Sequence, residues 1–239
     1  MAYQHTFKRY EMKYLLTHMQ AQDLKAYMLP YMAADEYGKT TIRNIYFDTD
    51  NYRLIRRSIE KPVYKEKLRL RSYQPADKDK PVFVELKKKY KSVVYKRRVA
   101  IPQQQALSWL GGETQEAPAC QIGEEISYFI HYYGSLRPKV FLSYDRIAYY
   151  SLDDSDLRIT FDDHILCRQE DINLEADIWG TSLLPDNTVL MEIKTSGGIP
   201  LWMTHALTEG RIFKTSFSKY GAAYQTMIFP NCKGDFLYA

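Results

Sequence analysis

Residues 64–99 read YKEKLRLRSYQPADKDKPVFVELKKKYKSVVYKRRV, and this stretch decides the fold. It contains three runs of alternating charged and apolar residues, the first two separated by the turn-forming segment 74–79. Because side chains alternate across a strand, each run has one charged face and one apolar face. The charged faces carry Glu85 together with the cations Lys65, Lys67, Arg69, Arg71, Lys87, Lys89, Lys96 and Arg98. The stretch therefore predicts three antiparallel strands.

Two interpretations of the charged faces are open at this point. Antiparallel sheets commonly bury one face and expose the other to water, which produces the same alternation. Alternatively, the charged faces line a basic interior, and helices cover the apolar faces from outside. The rest of the chain has to decide between a solvated surface and a lined interior.

The composition excludes several classes of protein. The net charge of +4, from 33 basic and 29 acidic residues, is too mild for a generic nucleic-acid binder and favours a local basic patch. The three cysteines are far apart, and the five histidines have no metal-binding spacing. This pattern fits a reducing compartment, without a disulfide framework or a zinc site. No signal peptide and no long apolar run is present, so we expect a soluble, cytoplasmic protein.

Five further segments predict strands, at residues 7–16, 42–47, 139–150, 157–166 and 189–194. Four or five helices lie between and after the strands, and Asp48 is placed to cap one of them. The chain has no repeat, no low-complexity segment and no linker, so a single domain over residues 1–239 is expected. We predict the α+β class: an eight-stranded antiparallel β-barrel (tunnel) with flanking helices outside it, because closure removes exposed edges.

Cations recur on the predicted inner face in both halves of the chain. Closure would bring eight of them together: Lys13, Arg69, Arg71, Lys87, Lys96, Arg146, Arg158 and Lys194. The carboxylates available to balance them are Glu11, Glu85, Glu192 and Asp162. An unpaired buried ion is costly, so this interior should hold water and a strongly anionic ligand. Arginine and lysine suit phosphate oxygens, and carboxylates among them suit a divalent metal that bridges phosphates.

The order of the motifs carries a resemblance to a known family. The motifs are Glu11-Met12-Lys13, Leu68-Arg69-Leu70-Arg71, Phe83-Val84-Glu85-Leu86-Lys87, Tyr144-Asp145-Arg146, Leu157-Arg158-Ile159-Thr160-Phe161-Asp162 and Met191-Glu192-Ile193-Lys194. In this order they resemble the triphosphate tunnel metalloenzymes. More narrowly, the chain is similar to the polyphosphate polymerase domain of the vacuolar transporter chaperone (VTC) family. The closing segment Phe217-Ser218-Lys219-Tyr220-Gly221 resembles that family's last phosphate-binding motif.

The resemblance implies an enzyme that moves the terminal phosphoryl group of ATP onto inorganic polyphosphate, using Mn²⁺ or Mg²⁺. No nucleic-acid partner is expected, because the ordered carboxylates would repel a nucleic-acid backbone. The implied catalytic residues are Arg69, Arg71, Lys87, Arg146, Arg158 and Glu192. The implied phosphate-binding residues are Lys13, Arg69, Arg71, Lys87, Lys96, Arg146, Arg158, Lys194 and Lys219. Glu192 would be the main metal ligand and Glu85 a second one, while the roles of Glu11 and Asp162 stay open.

Two departures from the family pattern matter. The broader family opens with Glu-x-Glu-x-Lys, whereas this chain has Arg9 at the first position. Losing that carboxylate removes a ligand for a second metal and favours transfer over hydrolysis. A lysine of the closing motif is replaced by Ser216, and Lys214 is the nearest substitute.

Two other functions remain open. One is a triphosphatase or nucleotide cyclase on the same barrel. The other is a binder of polyphosphate or RNA without activity, because residues 87–98 interleave cations with Tyr90 and Tyr95 as single-strand binders do.

Overall fold

The computed structural model describes residues 10–91, 93–114, 116–153 and 156–231, and eleven strands lie within these ranges. The strands are β1 (Tyr10–Thr17), β2 (Met32–Ala34), β3 (Thr40–Asp48), β4 (Tyr64–Ser72), β5 (Pro81–Tyr90), β6 (Val93–Pro102), β7 (Arg137–Ser151), β8 (Arg158–Arg168), β9 (Thr181–Ser182), β10 (Thr188–Thr195) and β11 (Lys214–Thr215). The helices in the same ranges are α1 (His18–Met28), α2 (Arg53–Ile59), α3 (Gln103–Gly111), α4 (Gln121–Tyr133), α5 (Leu201–Glu209), α6 (Lys219–Ala223) and α7 (Phe229–Asn231). A π-helical turn, Tyr224–Ile228, joins α6 to α7. None of these helices is long and apolar enough to cross a membrane.

The strands form one antiparallel sheet with the spatial order β11, β1, β10, β8, β7, β3, β4, β5, β6. β2 pairs with β7, and β9 pairs with β8, at the side of this path. The eight strands predicted from the sequence are confirmed, although residues 7–9 of the first lie outside the described residues. The short strands β2, β9 and β11 were not predicted.

The prediction of a closed barrel is wrong, because among the described residues no backbone pairing joins β6 to β1 or β11. β11 occupies part of the edge of β1, where Thr215 lies opposite Lys13. The other edge strand, β6, carries three consecutive cations at residues 96–98, and such charges discourage pairing at an edge. The sheet still curves strongly. The curvature brings β5 close to β1, so that Lys87 Nζ lies 3.0 Å from Glu11 Oε2.

Helices cover the apolar outer face of the sheet in two places. α3 and α4 pack on β3, β4 and β5 in a cluster that includes Leu68, Leu86 and Trp109. α1 and α5 pack on β1, β8 and β10 in a second cluster that includes Leu16 and Met203. Burying each large apolar side chain contributes roughly 1.5–3 kcal/mol. The apolar stripes of the strands therefore lie under helices, and the charged stripes face the concave side.

A third cluster lies on the concave side, where Val140, Leu142 and Tyr144 share the face of β7 that also carries Arg146, as their alternation predicts. It combines side chains of β3, β7, β8 and β10 with α6 and the π-helical turn. Tyr220 of α6 stacks on Tyr46 with ring centroids 4.7 Å apart, and its hydroxyl donates a hydrogen bond to Asp48 Oδ2 at 3.0 Å. Asp48 also accepts the backbone N–H groups of Leu54 and Ile55, as expected for a helix cap. These contacts fix α6 against the concave face and position Lys219.

Candidate active site

Three neighbouring strands present four rows of side chains on the concave face. Across β4, β5 and β6 the rows are Arg71–Phe83–Ala100, Arg69–Glu85–Arg98, Lys67–Lys87–Lys96 and Lys65–Lys89–Val94. Tyr90 and Tyr95 lie on the opposite face, because each is one residue out of phase with these rows. The sheet thus separates these two rings from the concave-face cations, while Lys88 lies directly opposite Tyr95 on the outer face.

Glu85 lies at the centre of the first ion-pair network and is 1% exposed. Its Oε2 accepts a hydrogen bond from Arg69 Nε at 2.8 Å and lies 2.8 Å from Arg69 Nη2 and 3.7 Å from Arg71 Nε. Lys96 Nζ lies 2.5 Å from Glu85 Oε1. Burial alone would raise the pKa of Glu85, but Arg71, Arg69 and Lys96 lower it below the ordinary value. Burial also lowers the pKa of Lys96 to about 7, against the opposing effect of Glu85.

Neutral side chains hold the two arginines of this network, and sequence reasoning missed them. Arg69 Nη1 donates to Tyr46 Oη at 3.0 Å. Arg71 donates to Asn44 Oδ1 at 3.0 Å and to Tyr144 Oη at 2.9 Å. The position of Tyr144 two residues before Arg146 in a strand was the one signal that it shares the inner face.

Asp162 is the first carboxylate of a second network, on the other half of the sheet. It is fully buried and accepts a bidentate pair of hydrogen bonds from Arg146, at 2.6 and 2.7 Å. Lys219 Nζ of α6 lies 2.5 Å from Asp162 Oδ2. Burial alone would raise the pKa of Asp162, but Lys219 and Arg146 lower it. The C-terminal segment is thereby tied to the wall of the sheet by charge.

Glu192 binds four cations in the same network. Lys13 and Lys194 lie 3.1 and 3.2 Å from its oxygens, and Lys219 and Arg146 lie at 3.5 and 3.6 Å. Burial alone would raise the pKa of Glu192, but these cations lower it well below the ordinary value. The carboxylate is therefore ionised and available as an oxygen ligand.

Glu11 connects the two halves of the concave face. Its carboxylate lies 3.0 Å from Lys87 on β5 and 3.6 Å from Lys13 on its own strand. Burial alone would raise the pKa of Glu11, and so would Glu192, but Lys87 and Lys13 lower it. Glu11, Glu192 and Asp162 lie on the adjacent strands β1, β10 and β8.

The structure brings most of the predicted cations into these two networks: Lys13, Arg69, Arg71, Lys87, Lys96, Arg146, Lys194 and Lys219. Arg158 differs from them, because it is exposed at the start of β8, opposite Lys194. The expected metal ligands Glu192 and Glu85 lie in separate networks, which share no cation in the ion pairs of the described residues.

The two departures from the family pattern have different outcomes. Arg9 lies outside the described residues. Lys214 is exposed and lies opposite Tyr14, whose side chain packs in the outer cluster with α1. Because Lys13 is one residue out of phase with Tyr14, Lys214 lies on the face away from Lys13 and does not replace the lysine lost at Ser216.

Comparison with known proteins supports the resemblance seen in the sequence. The family model of the VTC domain matches residues 8–228. The chain belongs to the VTC domain family. None of the curated proteins shows significant similarity to it.

Two solved structures share the fold of this VTC domain. A proposed adenylate cyclase from Bacillus halodurans has a TM-score of 0.57 and 16% identity, covering 90% of this chain and 95% of that one. A proposed adenylate cyclase from Vibrio parahaemolyticus has a TM-score of 0.50 and 13% identity, covering 91% and 98%. At these identities the similarity concerns the fold alone.

Proposed function

We propose that this VTC domain is a metal-dependent polyphosphate polymerase, which transfers the terminal phosphoryl group of ATP to a growing polyphosphate chain on the concave face. The observation that carries the proposal is the charge balance of the two networks. Eight basic side chains share four carboxylates there, and because the pKa of Lys96 is lowered to about 7, this leaves a surplus of between three and four positive charges on a largely buried surface. A condensed phosphate is the common biological anion with the charge density to match it.

The arrangement supports phosphoryl transfer by positioning and charge neutralisation, which dominate this chemistry. Arg69, Arg71 and Lys96 would exchange their contacts with Glu85 for phosphate oxygens and hold the chain extended. On the other half of the sheet, Arg146 and Lys219 would exchange their contacts with Asp162 for phosphate oxygens. The terminal oxygen of a bound polyphosphate is already ionised, so no general base is required for its in-line attack.

The triphosphate tunnel superfamily typically uses divalent metals, and the site fits one at Glu192. Mg²⁺ and Mn²⁺ favour oxygen donors, and Mg²⁺ is usually bound by one or two carboxylates together with substrate phosphates and water. Among the described residues no group of three metal-binding side chains occurs, so the protein alone would supply only part of the coordination. Glu192, with Glu11 beside it, would hold the metal, which neutralises charge on the transferring phosphoryl group. Glu85 is a weaker candidate, because it is the one carboxylate of its network among the described ion pairs, whereas Glu192 has Glu11 and Asp162 on the adjacent strands.

The alternatives differ in their products, so one experiment separates them. Purified protein would be incubated with ATP and Mn²⁺ or Mg²⁺, with or without a short polyphosphate primer. We expect a ladder of long polyphosphate with ADP and little free phosphate. Free phosphate without a ladder would indicate a triphosphatase, and pyrophosphate would indicate a cyclase. No turnover with either metal would overturn the enzyme proposal.

A nucleic-acid binder is less well supported by the geometry. Binding of single-stranded RNA combines backbone contacts with stacking of bases on aromatic rings. Here Lys87 and Lys96 face the concave side, whereas Tyr90 and Tyr95 lie on the opposite face of the sheet. The cations therefore meet phosphates without an adjacent stacking surface from these tyrosines.

A further inference from the structure

Four lysines lie together on the concave face, at the end of the β4–β5 hairpin that is remote from its turn. We call Lys65, Lys67, Lys87 and Lys89 the lysine quartet. Lys67 lies directly opposite Lys87, and Lys65 lies directly opposite Lys89. Like charges placed directly opposite each other destabilise an antiparallel pair. Two such pairs in succession need a counter-charge to offset them.

The protein supplies little of that counter-charge. Within the part of the chain that the structure describes, Lys87 is the only member of the quartet with a carboxylate partner, Glu11 at 3.0 Å. Lys67 Nζ instead donates a hydrogen bond to Ser218 Oγ at 2.7 Å, and Lys65 Nζ donates to the Ser58 carbonyl at 3.2 Å. Burial lowers the pKa of Lys67 well below its ordinary value, and neighbouring cations lower it further. The ammonium of Lys67 is thus held in a positive field with only a neutral acceptor.

The quartet continues the cationic row of the candidate active site. Lys65, Lys67, Arg69 and Arg71 follow one another on the same face of β4. At about 3.3 Å per residue this row is roughly 20 Å long. A triphosphate is much shorter than that, so a ligand bound at Arg69 and Arg71 reaches the far end of the quartet, Lys65 and Lys89, only if it is a longer chain.

We propose that the lysine quartet is a subsite for the distal phosphates of a bound polyphosphate chain, beyond those that contact Arg69 and Arg71. The proposal rests on the proposed function and adds a preference for long chains over triphosphate. Ser218 orients the Lys67 ammonium in the ligand-free protein. Phosphate oxygens replace the missing carboxylates when the chain binds. RNA fits the subsite less well, because Tyr64 and Tyr90 at this end of the hairpin lie on the opposite face.

The test compares ligands of different length on the full chain, without ATP and without metal. Tripolyphosphate, a long polyphosphate and a single-stranded RNA of comparable charge would be titrated calorimetrically into the wild-type protein and into Lys89→Met. We expect Lys89→Met to weaken long-chain binding about tenfold and tripolyphosphate binding less than twofold. Lys88→Met is the matched control, because Lys88 lies next to Lys89 on β5 but faces the other side. It should change neither affinity by more than about twofold.

A second readout separates a ligand subsite from a structural role. Because Lys89 is opposed by Lys65 and has no carboxylate partner among the described contacts, Lys89→Met should leave the melting temperature of the ligand-free protein unchanged or raise it. A lower melting temperature would overturn the proposal, and so would equal losses for both phosphate ligands or tighter binding of RNA. These measurements need no turnover. The subsite proposal can therefore be refuted while the polymerase proposal is upheld, and the polymerase proposal can be refuted while the subsite proposal is upheld.

Discussion

Replacing Glu192 with glutamine tests the central feature of the site, the competition between carboxylates and phosphates for the same cations. The substitution keeps the shape of the side chain and removes its charge. Three of the four cations around Glu192 retain a second carboxylate: Lys13 keeps Glu11, while Arg146 and Lys219 keep Asp162. Only Lys194 loses its one carboxylate partner among the described ion pairs.

The expected loss of stability follows from these contacts. Removing one partner of a buried ion pair typically costs about 3–5 kcal/mol. Because most cations here keep a second partner and glutamine still accepts hydrogen bonds, we expect the free energy of unfolding to fall by about 2–3 kcal/mol. For a chain of this size that is a decrease of about 5–10 °C in melting temperature.

Phosphate should bind more tightly to the variant when no metal is present. A unit charge at 4 Å contributes roughly 4 kcal/mol at an effective dielectric constant of about 20. If the charge of Glu192 opposes ligand binding by about one third of that energy, removing the charge raises the affinity for tripolyphosphate about tenfold. Ligand at about one hundred times its Kd should then add about 2.7 kcal/mol and restore most of the lost stability. Turnover with metal should instead fall by about 10²–10³-fold, the usual cost of losing one electrostatic contact in a transition state.

Thermal unfolding, calorimetric titration without metal and the ATP assay measure the three quantities. Glu85→Gln is the comparison, because it also removes a carboxylate that pairs with cations, but in the network that does not contain Glu192. This variant should bind tripolyphosphate more tightly than wild type, and its turnover should still depend on the metal. Glu125→Gln is the control, since Glu125 forms a surface ion pair with Arg97. It should be within about 1 kcal/mol of wild type. Weaker metal-free binding by Glu192→Gln would refute the competition on which the reasoning depends.

Three further predictions follow from other contacts. Tyr220→Phe removes the hydrogen bond to Asp48 and should lower the free energy of unfolding, measured with urea, by about 1–2 kcal/mol. The control Tyr128→Phe, at an exposed position, should leave that free energy unchanged. Equal effects of the two substitutions would contradict the role of Tyr220 in fixing α6. Leu68→Ala, at a fully buried position, should lower the free energy of unfolding by about 3 kcal/mol. The exposed Leu107→Ala should lower it by less than about 1 kcal/mol. A small loss for Leu68→Ala would argue against the packing of Leu68 in the core under α3 and α4. The four concave-face carboxylates have lowered pKa values, so the stability they contribute is present above about pH 4 and is lost as the pH falls through their folded values. Melting temperatures measured from pH 7 to pH 2 should fall, and they should fall less in sulfate than in chloride. A melting temperature that does not change with pH would contradict this prediction.

Much of the fold could be predicted because a strand imposes a local pattern. The alternation in residues 64–99 correctly indicated three strands with one charged and one apolar face, and the clusters around Leu68 and Leu16 confirm that helices cover the apolar faces. Closure could not be predicted in the same way. Whether β6 meets β1 depends on the summed twist of the strands and on β11, which occupies part of the edge of β1.

The kind of residues on the inner wall, their order along the chain and the family to which the VTC domain belongs could be read from the sequence alone. Which charges meet depends on the tertiary structure. Lys219 lies 57 residues from Asp162, and Lys67 lies 151 residues from Ser218. Periodicity assigns each residue to a face within its own strand, but ion pairing depends on distances of a few ångströms between strands that are remote in the chain. For that reason the surplus of charge was visible in the sequence, whereas the position of Arg158 outside the networks and the lack of a carboxylate partner for Lys67 emerged only from the fold.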